Sequence, residues 1–406
     1  MKYELATDTW GKEELKAGID VLLSGQYTMG EKVAQYEHAF ATYVGADYGV
    51  MTNSGSSANL IMISTMVQMG LLQPGDEVIV PAVSWSTTYF PLVQYGLIPV
   101  FVDVDTLSFT MRASYLAAAL SNKTKAILFV TLLGNSSNLK EVDKFCRAND
   151  LFLLIDNCEG FGCKVLRQYK NSDDQIVDEK FEEPGSIGLM TTYSTFFSHH
   201  LQTMEGGMVV TNNSSVRDYL KSIRSHGWDR HLDSVSALGI KKKNDFYNPF
   251  NFVTIGYNVR PTEISGAIGY EQLNKADEFI NKRRENLFYL NFYLKNEMNK
   301  VKVTWGRLQK QFSDGLTSSF GFGFILRKGL DRDKIADQLK AAGIAVRPIV
   351  AGNFLRTPVM KNIEHRVYGE MTVADGIHDN GFFIGNDSRD LTIEIDHFID
   401  IMRSIT

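Results

Sequence analysis

The chain has 406 residues, 44% of them hydrophobic, with a formal net charge of −5 and a pI near 6.0. This length supports a large core and more than one lobe, because single cores seldom grow beyond about 250–300 residues. The slightly acidic balance excludes the basic footprint of a nucleic-acid binder, yet it leaves room for a local phosphate site.

The opening MKYELATDTWGKEELKAG lacks the apolar segment of a secretory signal. No run of about 18 apolar residues offers a membrane span. Cys146, Cys158 and Cys163 are too few for a four-thiolate cluster, match no zinc template, and fit no disulfide framework. A cytoplasmic protein without a bound metal is expected.

Apolar residues every three to four positions predict helices over 11–24 and 31–43, and a turn at Thr52–Ser56 precedes a helix over 57–70. Strands and helices then alternate. DEVIVP (76–81) and IPVFVDV (98–104) read as strands, MRASYLAAAL (111–120) as a helix and KAILFVTLL (125–133) as a buried strand. NLKEVDKFCRAND (138–150) reads as a helix and LFLLID (151–156) as a strand. Near-continuous apolar strands in βαβα order predict an α/β fold with a mostly parallel sheet covered on both faces.

Residues 166–185 are a polar break, expected to be a surface hairpin or loop. Residues 246–273 end in a helix, and 272–298 continue as a long charged helix linking two lobes. A strand at 320–326, a helix at 331–342, a strand at 344–348 and a final helix predict a smaller C-terminal α/β domain. The expected division is 1–284 and 285–406.

Five segments carry residues suited to chemistry. In TNSGSSANL (52–60), Gly55 and the hydroxyls of Ser56 and Ser57 precede a helix, an arrangement that suits a phosphate and equally an ordinary capped turn. In LLIDNCEG (153–160), Asp156 ends a buried strand at the edge where open α/β sheets bind ligands, and Glu159 follows. A structural Asp is the competing reading. Trp85 in VSWSTT (83–88) reads as core on its own, and as a stacking platform for a planar ring otherwise.

GYNVRPTEISGAIG (256–269) brings Asn258 and Arg260 to a helix start, where Arg260 serves as a surface ion-pair partner or an anion clamp. The fifth segment, TTYSTFFSHHLQTMEGGMVV (191–210), sets Ser194 and the doublet His199-His200 ahead of Glu205-Gly206-Gly207. Adjacent histidines alone are more often structural.

Together these segments resemble the DegT/DnrJ/EryC1/StrS sugar aminotransferase family, from SGQYTMGEKVAQYE near residue 24 to NGFFIGN at 380–386. The resemblance implies the aspartate-aminotransferase fold (type I) and pyridoxal 5'-phosphate as cofactor. It implies that Gly55, Ser56, Ser57 and Ser194 hold the phosphate and that Asp156 pairs with the pyridine nitrogen. It also implies that Trp85 stacks on the ring, that Glu159 lies by the cofactor, and that Asn258 reaches the phosphate from a second subunit of a homodimer.

Aligning the Glu-Gly-Gly that follows the family's Schiff-base lysine with Glu205-Gly206-Gly207 puts His199 in the lysine's place. His there is similar to the subgroup of 3-dehydratases acting on nucleotide-linked 4-keto-6-deoxy sugars. For this chain the resemblance implies that L-glutamate converts pyridoxal phosphate to pyridoxamine 5'-phosphate and that ammonia is released. One kind acts on CDP-sugars and carries an iron–sulfur cluster. The other acts on GDP-4-keto-6-deoxy-D-mannose and has none.

The three cysteines and the segments RSHGWDR (224–230) and VRPIVAGNF (346–354) favour the second kind. The insert at 166–185 is longer than that kind implies. His226, Arg260 and Arg347 are the candidates for binding substrate. An imidazole of ordinary pKa, about 6.5, takes and returns a proton near neutrality. The rival readings are a GDP-sugar 4-aminotransferase using Lys164 or Lys221, neither at the right spacing, a 3-dehydratase acting on a different nucleotide sugar, and a non-enzymatic ligand sensor or scaffold.

Overall fold

The computed structural model describes residues 2–170, 175–233, 235–240, 246, 250–300 and 305–406. Eight strands form the central sheet, in the order Tyr48–Thr52, Gly207–Thr211, Met190–Ser194, Phe152–Asp156, Thr124–Val130, Glu77–Pro81, Ile98–Val102 and Arg366–Tyr368. The sheet is mostly parallel. The exception is Gly207–Thr211, which runs antiparallel to both its neighbours. The central strands are apolar and buried along their length because helices cover both faces.

The α/β expectation holds, with local differences. The helix expected over 111–120 shrinks to a 3-10 turn at Ala113–Tyr115 and the short helix Leu116–Ala119. The strand expected over 125–133 ends at Val130, and Leu132–Gly134 turns away with Leu133 at φ 53°. The stretch from 263 to 300 is two helices, Glu263–Asn274 and Ala276–Lys300. The polar insert is a hairpin of Lys164–Lys170 and Ile176–Glu182; its residues 171–174 lie outside the described ones.

A second, antiparallel sheet runs Gly306–Leu308, Gly321–Leu326, Gly381–Gly385 and Val346–Arg347 around its own apolar cluster. Contacts joining this region to the rest of the chain include Gln309 Nε2, which donates to Ser108 O and Leu132 O, the strand Arg366–Tyr368, which extends the central sheet, and Tyr3, which bridges to Ile344.

Candidate active site

Asp156 leaves the carboxyl end of a central strand and is 5% exposed. Its Oδ2 accepts from Asn59 Nδ2 and from the Thr88 hydroxyl, each at 2.8 Å, and its Oδ1 accepts from Cys158 N–H at 3.2 Å. The Thr192 hydroxyl donates to Asn59 Oδ1 at 2.6 Å, which fixes the amide with its nitrogen toward Asp156. All three donors are neutral, and no ion pair reaches this carboxylate among the described residues. A buried carboxylate held this way suits a cationic group of a ligand.

The turn before the helix Gly55–Gln68 lies alongside. Ser54 caps this helix, its Oγ accepting from Ser57 N–H at 3.1 Å and donating to Ser57 Oγ at 3.0 Å. Ser56 donates to Thr87 Oγ1 at 3.2 Å. A Cβ at Gly55 would lie 2.6 Å from Ser194 Cβ and 3.0 Å from Cys158 Sγ, so the bare glycine lets the turn rest on the end of the strand Met190–Ser194. A Cβ at Gly207 would lie 2.2 Å from Ser54 O, which explains the second glycine of the Glu-Gly-Gly run.

Trp85 overturns its core reading. It is 57% exposed, because it precedes the helix Ser86–Gln94 and points outward while Thr88, a turn later, points in to Asp156.

The two histidines differ sharply. His200 is buried and its Nε2 donates to Ser318 O at 3.0 Å, leaving Nδ1 unpartnered. His199 is half-buried, 3.5 Å from Ser198 Oγ through Nδ1, with its ring centroid 5.0 Å from that of Phe320. Burial, reinforced by the positive charge of Arg283, pushes His199 down to about 3. The near-neutral titration expected of an unperturbed imidazole is therefore corrected. At neutral pH His199 is an uncharged base, and once protonated it gives the proton up readily. Glu159 Oε2 accepts from Leu133 N–H at 2.9 Å, and burial raises its carboxyl to about 7.

The remaining candidates make no hydrogen bond to Asp156 or His199 among the described residues. Asn258 is exposed, its Oδ1 accepting from Arg260 Nε at 3.0 Å. The next residue, Val259, accepts from Asn53 N–H beside the turn. Arg260 also lies 5.8 Å from the Trp228 ring, and no ion pair of it is seen among the described residues. His226, at φ 63°, packs edge-on against Trp228 at 4.9 Å. Arg347 is exposed on its strand. Lys164 acts on Glu183, and Lys221 on His231.

Residues of the cluster that escaped the sequence reading include Asn59, Thr88, Thr192, Arg283 and Phe320. Asn59 and Thr88 had a signal, lying one helical turn beyond Gly55 and three residues beyond Trp85. Arg283 and Phe320 had none.

The DegT/DnrJ/EryC1/StrS aminotransferase family model matches residues 8–401. The chain is 42% identical to GDP-4-keto-6-deoxy-D-mannose 3-dehydratase of Escherichia coli O55:H7, over 99% of this chain and 100% of that protein. It is 41% identical to the enzyme of that name from Yersinia pseudotuberculosis, over 99% and 98%. A crystal structure of GDP-4-keto-6-deoxymannose-3-dehydratase with a trapped PLP-glutamate geminal diamine superposes with a TM-score of 0.89 at 42% identity, covering 99% of this chain and 100% of that one. The chain belongs to the DegT/DnrJ/EryC1/StrS aminotransferase family.

Proposed function

We propose that this protein is a 3-dehydratase of GDP-4-keto-6-deoxy-D-mannose that uses pyridoxal and pyridoxamine 5'-phosphate with L-glutamate. One observation carries the reading: the family's lysine place holds His199, an uncharged base beside a site otherwise fitted for the cofactor. The fit rests on two structural features. Asp156 is a buried carboxylate lacking a cation, matched to a protonated pyridine nitrogen. The turn at Gly55 is pressed against Ser194, which gathers the hydroxyls of Ser56, Ser57 and Ser194 for a phosphate.

When bound, the cofactor supplies an amine and an electron sink for the sugar carbons. Asp156 would hold the pyridine nitrogen and keep it protonated, and the exposed indole of Trp85 would stack on the ring. Glu159 stays by the ring, its carboxyl near half-protonated at neutral pH. His199 takes a proton at C4′ and delivers it to the C3 oxygen as that oxygen leaves. Imidazole forms no lasting bond to the aldehyde, so the cofactor stays detachable and the amino group is not retained in the product.

The overall change balances. The sugar loses one oxygen, glutamate becomes 2-oxoglutarate, and ammonia leaves, so glutamate is the two-electron donor. Asn258 supports a homodimer in which each subunit presents this exposed amide to the phosphate turn of the other. His226, Arg260 and Arg347 are assigned to substrate, and the chain is assigned a division near residue 285. No described helix is long and apolar enough to cross a membrane, and a cytoplasmic enzyme accords with nucleotide-sugar chemistry.

The deciding experiment is mass spectrometry of products from GDP-4-keto-6-deoxymannose, glutamate and pyridoxal phosphate. A product lighter by one oxygen and free of added nitrogen is expected. Nitrogen gain would establish a 4-aminotransferase instead.

A further inference from the structure

The loop carrying the two histidines leans on a shelf from elsewhere in the chain. Phe320 meets both rings, at 5.0 Å from His199 and 6.2 Å from His200, and Ser318 O takes the His200 Nε2 hydrogen bond. Residues 318–320 lead into the strand Gly321–Leu326 of the second sheet. Behind them stands Arg283, on the helix Ala276–Lys300. Its Nη1 donates to Ser319 O at 3.3 Å, to Phe320 O at 3.4 Å and to Asn386 O. Asn386 completes the clamp, its Nδ2 donating to Ser319 O at 3.2 Å and to Arg283 O at 3.0 Å.

Arg283 is 2% exposed and its Nε has no partner among the described residues. The carboxylate that acts on it, Asp387, is already paired with Arg389 at 2.8 Å. A guanidinium buried without a carboxylate is costly, and holding carbonyls alone does not require a charge. We propose that Arg283 is the positioning residue of His199, clamping the Ser318–Phe320 shelf against the imidazole and setting a fixed positive charge behind it. The proposal rests on His199 being the base assigned under Proposed function.

The electrostatics agree with the geometry. Arg283 is the charged group from the long helix acting on His199, and the shelf itself is uncharged. His200, on the same loop, is held neutral by burial, with Arg283 and then Arg284 adding to the effect. Repulsion from Arg283 disfavours imidazolium, so its removal shifts His199 toward easier protonation.

The test is an NMR titration of cofactor-free protein carrying histidine labelled at Cε1, with the His199 signal assigned by its loss in His199→Asn. In the wild type this signal should stay neutral from about pH 8 to about pH 5. In Arg283→Met its midpoint should rise yet stay below the ordinary value of about 6.5, because burial, the larger cause, remains; the titration is therefore followed to the lowest pH at which the protein stays folded. Arg283→Lys, which keeps the charge but reaches fewer carbonyls, should leave the midpoint low while kcat falls and KM holds.

An unmoved midpoint in Arg283→Met, or identical titration of the Met and Lys variants, overturns the proposal. If Arg283→Met does not fold, Phe320→Leu decides: it leaves the clamp in place, and an unchanged kcat there overturns the shelf's role. The titration needs neither cofactor nor sugar. Failure of the wild type to dehydrate therefore counts against the proposed reaction and leaves the positioning result to be judged by itself.

Discussion

Asp156→Asn isolates the binding role proposed for the buried carboxylate. In the cofactor-free protein the change is mild. With its amide oxygen turned to the Oδ2 position, the new side chain still accepts from Asn59 and Thr88. Its NH₂ then faces Cys158 N–H, where the acceptor was at 3.2 Å, and loses one hydrogen bond worth about 0.5–1.5 kcal/mol. Removing an unpaired buried charge offsets that loss, so unfolding of the apo variant should stay close to wild type.

The bound state is different, because a charge-assisted bond to pyridinium is lost. That bond contributes about 1.5–3 kcal/mol, or about 10–150-fold in Kd. At a ligand concentration of 100 times the wild-type Kd, pyridoxamine phosphate stabilises wild type by about 2.7 kcal/mol. A variant about 30-fold weaker gains only about 0.9 kcal/mol. Equilibrium dialysis and thermal unfolding, with and without ligand, measure both quantities. A folded variant with unchanged Kd and the full ligand-induced stabilisation would refute the pairing of Asp156 with the pyridine nitrogen.

Four further outcomes are expected. Gly55→Ala sets a methyl 2.6 Å from Ser194 Cβ, so it should cost about 1–3 kcal/mol in unfolding experiments and weaken phosphate-dependent binding at least tenfold. Gly376→Ala is its control, a helical glycine with no atom within 4 Å of the added methyl, and should raise stability by about 0.5–1 kcal/mol. His199→Lys should end dehydration and let borohydride fix a pyridoxyl label at position 199, whereas wild type takes no stable label; peptide mapping reads both.

The last expectation concerns pH. The folded chain holds His199 at about 3 against about 6.5 unfolded, so between those limits the unfolded chain binds the extra proton and stability falls as pH falls. The slope from this residue is at most about 1.4 kcal/mol per pH unit. It should appear as the difference between wild type and His199→Asn in unfolding free energy between about pH 6 and pH 4. Glu159 and Glu183, which burial raises to about 7 and about 8, act in the opposite sense and cancel in that difference.

Legibility in the sequence followed the range of the interaction. The alternating strands and helices up to Asp156 were readable because each apolar run reflects burial on both faces, which is a local signal. Gly55 and Asp156 were readable because a strand end and a capped helix start are local as well. Trp85 was misread from its type alone, since nothing in VSWSTT says that the chain turns after Pro81 and leaves the ring outside. The break of the 263–300 helix at Lys275 went unseen because no proline or glycine marks it. Arg283 sits in NKRREN, a run that reads as the solvated face of a helix, and only the packing of a second sheet more than 30 residues later buries it.

Asp156 and Arg283 are both buried without a close ion pair among the described residues. Had they been paired with each other, the site would be neutral and inert. In the proposed reaction each would act on a different atom: the carboxylate would favour a proton on the ring nitrogen, and the guanidinium disfavours one on His199. A proton moved by His199 then travels between a site that repels positive charge and a ligand whose ring nitrogen is held positive. An imidazole held this low is a weak base, so the proposed reaction needs the positive ring nitrogen to acidify the carbon, and the imidazolium then passes its proton readily to a leaving oxygen. On the proposed function, a histidine in the lysine's place would keep this proton transfer while forming no lasting bond to the aldehyde.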